Sequence, residues 1–349
     1  MKFFHLSHTD LDGFGAQNIS RQYFKDASFY NANYGAEVKR LLKEILEQIS
    51  KEDKTIEIFF LITDLNLTVE ESKDLDKNIN ILIEDGYNIK LQLLDHHGSG
   101  KKSADRYDWY FLDTSRSATK ITYDYFCENY KNFKSLCDDN FEILVDAINA
   151  VDIWLEDDAL FEFGKVTMSM ISKSYEINNT LFVNESRNYK FYLLEEALKY
   201  INIEDAHIKL DENIYNIKKN YLNLSNKNNT MDNVTSLYLV NLLVNKKDDL
   251  TIYYNGHKGL LTYTLGNISI PANAFLKANK DYDFFIDISR RGKAGLRADN
   301  KLDVSVLASK LAGGGGHPNA SGMAFKDWKE TVLYSDVKKY LEDKLEKCS

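Results

Sequence analysis

The sequence predicts an α/β fold of two domains: an N-terminal doubly wound, mainly parallel sheet, and a smaller C-terminal mixed α/β domain facing it across a cleft. Three observations predict this. Short apolar, strand-like runs alternate with helix-like periodicity in the first part of the chain. Four apolar stretches end in acids or histidines: KFFHLS before His8, Asp10 and Asp12; EIFFLIT before Asp64; IKLQLL before Asp95, His96 and His97; ILVDAINAV before Asp152. In an open parallel sheet such strand ends converge on one edge, where ligands bind. A helical stretch rich in Lys, Glu and Asn then precedes a second α/β pattern. The expected boundaries are 1–180 for the first domain, 181–226 for a helical connector and 227–349 for the second domain.

Each element has a local reason. Lys2–Ser7 reads as a buried strand and Gly13–Phe24 as a helix. Glu37–Ser50 is a stronger helix, with Val38, Leu41, Leu42, Ile45, Leu46 and Ile49 on one face. Glu57–Thr63 is an apolar strand ending at Asp64. Thr68 then caps a helix, with Glu71 three residues on as the capping-box acid. Ile89–Leu94 is a further strand, and Ser117–Tyr130 and Asn140–Val151 are helices. In the second domain Asp283–Ser289 and Gly292–Ala298 form a hairpin. Val304–Leu311 is helical, Gly313–Gly316 with His317 a glycine-rich turn, Ala320–Phe325 a strand, and Lys329–Glu346 a closing amphipathic helix.

Composition narrows the function classes. The chain has 349 residues, enough for two cores. Its net charge of −9 gives no general attraction for nucleic acid, so a polyanionic substrate needs a local basic patch or bound cations. Cys127, Cys137 and Cys348 show no paired spacing, which with the histidine usage points to a reducing cytosol. The expected location is cytoplasmic. The apolar run before His8 is too short for a signal peptide, and no stretch reaches membrane-span length, so no membrane partner is expected.

The motifs differ in specificity. HTDLDG (His8–Gly13) offers three ligands within a few ångströms on an extended turn, and Gly13 permits a tight bend. It is no EF-hand, because Phe14 and Arg21 occupy ligand positions of that loop; a solvated turn is the other reading. Asp64 alone is better explained as a helix cap and gains weight only beside the other motifs. LLDHHGSG (Leu93–Gly100) is more pointed. Adjacent histidines after a buried strand rarely have a packing reason, and Asp95 can orient an imidazole. DTSRSATK (Asp113–Lys120) is either a capped helix start or a phosphate contact through Arg116, Lys120 and backbone amides. Asp152 ends an apolar helical run, where an acid opposes the helix dipole and points to a nearby cation. GGGGHPNASG (Gly313–Gly322) lacks the GK[ST] of a phosphate loop, and linkers rarely sit between a clear helix and a clear strand. Successive glycine amides there can nest an anion, with His317 and Arg297 adding charge and hydrogen bonds.

HTDLDG, Asp64, DHH and Asp152, in that order, resemble the four motifs of the DHH phosphoesterase superfamily. GGGGHPNASG resembles the signature of the DHH-associated C-terminal domain. The resemblance covers nearly the whole chain and implies a DHH domain over 1–180 and a substrate-binding domain over 227–349. It implies two Mn²⁺ ions, with Mg²⁺ as a substitute: His8, Asp10 and Asp64 on one, and Asp12, Asp64, His96 and Asp152 on the other, with Asp64 bridging. It implies His97, supported by Asp95 and joined by Arg116, at the scissile phosphate. Arg297, His317 and the amides of Gly314, Gly315 and Gly316 would bind substrate. One departure stands out. Only Thr9 separates His8 from Asp10, where nano-RNases and family II pyrophosphatases usually have three residues. The spacing is nearer the RecJ-type D-x-D-x-D pattern, with His8 in the place of the first Asp.

The resulting expectation is a phosphodiesterase that cuts short single-stranded oligonucleotides to mononucleotides and also acts on pAp. The absence of an obvious basic, aromatic clamp favours short substrates over those of a RecJ-like single-strand exonuclease. Cyclic-dinucleotide hydrolysis is a second enzymatic reading. Inorganic pyrophosphatase is disfavoured by GGGGH. A non-catalytic nucleotide sensor is a different class, disfavoured because every expected ligand position is filled; Asp12→Ala separates the two. Oligomeric state is left open, a homodimer being one option.

Overall fold

The computed structural model describes residues 1–225 and 227–348. The chain forms two compact units. Met1–Ser174 with Lys190–Ile214 make the first, and Tyr175–Tyr189 with Tyr215–Ser349 the second. The helical stretch expected as a connector is thus divided between them. Its helices are α8 (Val183–Leu198) and α9 (Ala206–Leu222).

The first unit runs β1 (Lys2–Ser7), α1 (Leu11–Tyr23), β2 (Ala27–Asn31), α2 (Ala36–Ile49), β3 (Glu57–Thr63), α3 (Val69–Glu84), β4 (Asn88–Asp95), a short α4 (Lys101–Ala104), β5 (Tyr110–Leu112), α5 (Ala118–Asn129), α6 (Phe141–Asp152) and α7 (Phe161–Ser172). All strand pairings are parallel, in the order β2-β1-β3-β4-β5. The apolar alternation on the strands decides which helix covers which face. Phe4, Leu6, Ile58, Phe60 and Ile62 pack with Leu41 and Ile45 of α2 and Leu75 and Ile79 of α3. Phe3, Phe59 and Leu61 face the other way, onto Ile19 of α1, Ile121 and Phe126 of α5 and Val145 of α6. Each such buried Phe, Ile or Leu contributes about 1.5–3 kcal/mol. Because β1 and β3 send their helices to opposite faces, a crevice opens between their carboxyl ends, the usual ligand position in such sheets.

Local chemistry sets the helix starts. Thr68 accepts from the Glu71 amide while the Glu71 carboxylate takes the Thr68 N–H, completing the capping box. Ser117 accepts from the Lys120 amide to start α5. β2 and β5 escaped the sequence analysis because ASFYN and YFL are short and lack clean alternation.

The second unit contains α10 (Met231–Leu250), β6 (Thr251–Tyr254), β7 (His257–Tyr263), α11 (Ser269–Ala278), β8 (Phe284–Ile288), β9 (Lys293–Ala298), α12 (Val304–Ala312), β10 (Gly315–His317), β11 (Ala320–Ala324) and α13 (Tyr334–Lys347). Its sheet order is β10-β11-β9-β8-β7-β6; β7 and β8 are parallel and the other neighbours antiparallel. Leu261, Ile286, Leu296, Leu307 and Leu341 share one core.

Two expectations are corrected here. The glycine-rich segment is not simply a turn: Gly315–His317 pairs as an edge strand with Ala320–Gly322. A Cβ on Gly316, whose φ is 149°, would overlap the backbone of Ala320 and Ser321, so only glycine allows that close approach. The last helix starts at Tyr334 rather than Lys329, because the Thr331 hydroxyl takes the Leu333 amide and donates to Asp336 ahead of it. The three cysteines are free thiols. Among the described residues, no helix is long and apolar enough to cross a membrane.

Candidate metal centre

The carboxyl edge of the first sheet gathers side chains from five segments. β1 runs into His8 and Asp10. The Asp10 carboxylate accepts from the Gly13 amide at 3.0 Å and starts α1. A Cβ on Gly13 would overlap the His8 carbonyl, so the bend in HTDLDG needs glycine. Asp12, in the first turn of α1, is buried and accepts from the Ala118 and Thr119 amides at 2.7 Å each. It therefore sits on the positive end of α5. Asp64 follows β3 in the left-handed region at φ 56°. Its amide donates to the Leu94 carbonyl at 3.1 Å, which holds that conformation against its cost. Asp95 ends β4, His96 and His97 follow it, and Asp152 is the last residue of α6.

Their polar atoms converge. His8 Nδ1 lies 2.7 Å from Asp10 and 3.7 Å from Asp64. His96 Nε2 is 3.6 Å from Asp12, 3.4 Å from Asp64 and 3.5 Å from Asp152. Three overlapping groups result: His8, Asp10 and Asp64; Asp12, His96 and Asp152; and Asp64, His96 and His97. Within each, the ligand atoms lie within 4.8 Å of one another. Asp64 Oδ2 and Asp152 Oδ2 are buried with no hydrogen-bond partner, a costly state that a cation would relieve. Four carboxylates and three imidazoles of this kind fit divalent metal ions.

Electrostatics follow the crowding. Burial, then the charges of Asp12 and Asp10, raises Asp152 to about 9. Burial and the neighbouring acids push Asp64 well above the usual carboxylate range, and burial raises Asp12. Partial burial works against Asp10, yet the His8 hydrogen bond and charge, with the Gly13 amide, hold it at about 2. Burial lowers His96 despite the Asp12 charge, favouring the neutral imidazole that a metal binds.

His97 is oriented by a separate chain. Its Nδ1 bonds Asp95 Oδ1 at 2.8 Å, and Asp95 Oδ2 accepts from the Tyr110 hydroxyl at 2.7 Å. The Asp95 hydrogen bond raises His97 above its ordinary value. Tyr34, after β2, sets its hydroxyl 3.5 Å from His97 Nε2 and its ring 5.1 Å from that of His8. Sequence reasoning missed Tyr34 and Tyr110. Neither lies in a motif; the one available signal was Gly100 in LLDHHGSG, the glycine against which the Tyr110 hydroxyl packs.

Arg116 is engaged elsewhere: its guanidinium is held by Asp113 and Asp124. Lys120 pairs with Asp146 at 2.8 Å. The remaining residues singled out in the sequence lie in the second unit. Arg297, on β9, donates to Ser269 Oγ at 2.9 Å and to the Leu296 carbonyl at 2.8 Å. It lines a cavity of about 480 Å³ with Asn273, Lys277, Asp299 and Asn319. The Gly314 amide donates to Ala308, while Gly315, Gly316 and His317 lie exposed on the edge strand β10.

Comparison with known proteins narrows the class. No family model matches the chain. A crystal structure of an uncharacterized protein from Helicobacter pylori G27 has a TM-score of 0.92 and 41% identity, covering 99% of this chain and all of that one. The 3′,5′-cyclic-nucleotide phosphodiesterase of Helicobacter pylori (strain ATCC 700392 / 26695) is 42% identical over 343 residues, 98% of either chain. A parallel α/β unit with a carboxylate–imidazole cluster at its sheet edge, in a chain so close to a phosphodiesterase, is that of a hydrolase of phosphoester bonds. The chain belongs to the phosphodiesterase family of that Helicobacter protein.

Proposed function

We propose that this enzyme is a DHH-superfamily phosphodiesterase that hydrolyses the 3′,5′-diester of a nucleotide at a two-metal centre. The observation that carries it is the pair of buried, unpartnered carboxylate oxygens, on Asp64 and Asp152, facing a neutral-leaning His96. His8, Asp10 and Asp64 would hold one cation, and Asp12, Asp64, His96 and Asp152 the other; Mn²⁺ is the expected ion and Mg²⁺ its substitute. When bound, the cations supply Lewis acidity and a water of lowered pKa. The chain's own residues do the rest. The α5 amides fix Asp12, and Asp95 orients His97 so that Nε2 addresses a phosphoryl oxygen and holds charge that develops there.

A 3′,5′-cyclic nucleotide is the first substrate, supported by the name of the full-length relative. Short oligonucleotides are the second reading. They contain the same linkage, so the same metal-activated water would cut them. The test is product analysis with Mn²⁺ on 3′,5′-cyclic AMP and GMP, di- to pentanucleotides, pAp and a cyclic dinucleotide, with EDTA and Asp152→Asn controls. Metal-dependent opening of the cyclic monophosphates supports the first reading, and preferential cleavage of the short oligomers the second. No EDTA-sensitive turnover of any diester would defeat both.

A further inference from the structure

We propose that Tyr34 is a substrate-contact residue whose hydroxyl, beside His97 Nε2, donates to one non-bridging oxygen of the scissile phosphate. The inference rests on the diester-hydrolase reading above.

Tyr34 is 46% exposed, although it is a large aromatic beside a largely buried cluster. Its hydroxyl stands 3.5 Å from His97 Nε2, at the outer limit of a hydrogen bond. His97 has already committed Nδ1 to Asp95, so Nε2 is the nitrogen left to address a ligand. The Tyr34 hydroxyl is a donor in either tautomer of His97, and an oxygen placed between the two atoms, which stand 3.5 Å apart, lies within its reach. The hydroxyl's poor bond to Nε2 in the free protein would give way to a good bond to substrate.

The ring is also placed. It sits at 39° to the His8 ring and edge-on to His97, with centroids 6.2 Å apart. Its backbone is fixed by groups other than the phenol. Thr9 Oγ1 donates to Asn33 Oδ1 at 2.7 Å, the Asn33 amide donates to Glu37 at 3.0 Å, and Asn31 Nδ2 donates to the His8 carbonyl at 2.9 Å. The turn therefore holds without the Tyr34 hydroxyl, whose oxygen the Asn66 backbone amide approaches while its proton remains free to be donated. Arg116 and Lys120, the cations that sequence motifs suggested for this task, are paired with acids. A neutral donor from the β2–α2 turn supplies what they do not.

The experiment compares wild type with Tyr34→Phe in the presence of Mn²⁺. The substrates are a 3′,5′-cyclic nucleotide, a dinucleotide, and the Rp and Sp phosphorothioate analogues of each. Phenylalanine keeps the ring and removes only the donor. The expected result is a fall in kcat/KM of about ten- to a hundredfold on the oxygen substrates. For one diastereomer only, the penalty of sulfur substitution should shrink, because the oxygen it replaces has already lost its donor. The Mn²⁺ midpoint for thermal stabilisation should not move. Unchanged kcat/KM would overturn the assignment. So would an equal loss on both diastereomers, or a shifted Mn²⁺ midpoint, which would make Tyr34 a prop for the metal loop. Wild-type protein inert toward every diester would instead defeat the functional reading itself, a result distinguishable from failure of the variant alone.

Discussion

The Tyr110 hydroxyl occupies the space that a side chain on Gly100 would need, and from there it donates to Asp95. This ties a residue at the start of β5 to the imidazole of His97 through one buried carboxylate. Gly100→Ala should displace Tyr110, destabilise the protein by about 1–3 kcal/mol and lower turnover. Tyr110→Phe removes the hydroxyl, leaves Asp95 Oδ2 short of a donor at a cost of about 1–3 kcal/mol, and should also lower turnover. If space is the link, the double variant will be more stable than the two separate losses predict. A double-mutant cycle by denaturant unfolding checks this; additive losses would refute it.

Asp64 gives a cleaner probe of the metal centre than its neighbours. Its φ of 56° tolerates asparagine, so Asp64→Asn removes charge with little added strain. The metal-free variant should be at least as stable as wild type, because a crowded buried carboxylate is relieved. Its thermal stabilisation by Mn²⁺ should fall sharply, and turnover by about a hundredfold or more. Thermal melts with and without metal decide; a variant that keeps full metal stabilisation would place the ions elsewhere.

Asp12→Ala, attractive from sequence alone, is a poorer test. The Asp12 carboxylate receives the Ala118 and Thr119 amides, so alanine strands two buried donors at the start of α5. A loss of about 1–3 kcal/mol per stranded group is expected, whatever the metal does. Asp152→Asn avoids this, since Asp152 Oδ2 accepts no hydrogen bond and strands no buried amide when its charge is removed. Comparing the unfolding free energies of both metal-free variants checks the contrast.

The stability of the metal-free protein should depend on pH in a defined direction. Asp152 is raised to about 9 in the folded chain, whereas an unfolded Asp titrates near 4. The folded state binds the extra proton, so this contribution is fully present below about pH 4 and is lost as pH rises toward about 9. Mn²⁺ competes with those protons, so its stabilising effect should grow across the same window. Urea unfolding in EDTA and in Mn²⁺, from pH 5 upward, tests both; Asp152→Asn should flatten the metal-free slope.

The capping box is a control away from the site. Thr68→Ala should cost about 1 kcal/mol of stability with kcat unchanged, read by urea unfolding and turnover.

The sequence by itself determined the alternation of elements, because period-two and period-3.6 apolar patterns are local consequences of backbone geometry. It also marked the six residues His8, Asp10, Asp12, Asp64, His96 and Asp152, because each follows an apolar run and its chemistry is unsuited to a core. Only the tertiary structure decided how they are used. The 2-1-3-4-5 strand order carries Asp64 to the crevice between β1 and β3, and chain register cannot state that order. Only packing showed that Arg116 and Lys120 are engaged by acids, that Asp12 caps a helix more than a hundred positions away, and that Tyr34 and Tyr110 flank His97. Those relations are long-range pairings, fixed by shape and hydrogen-bond satisfaction, and neither leaves a periodic trace in a linear chain.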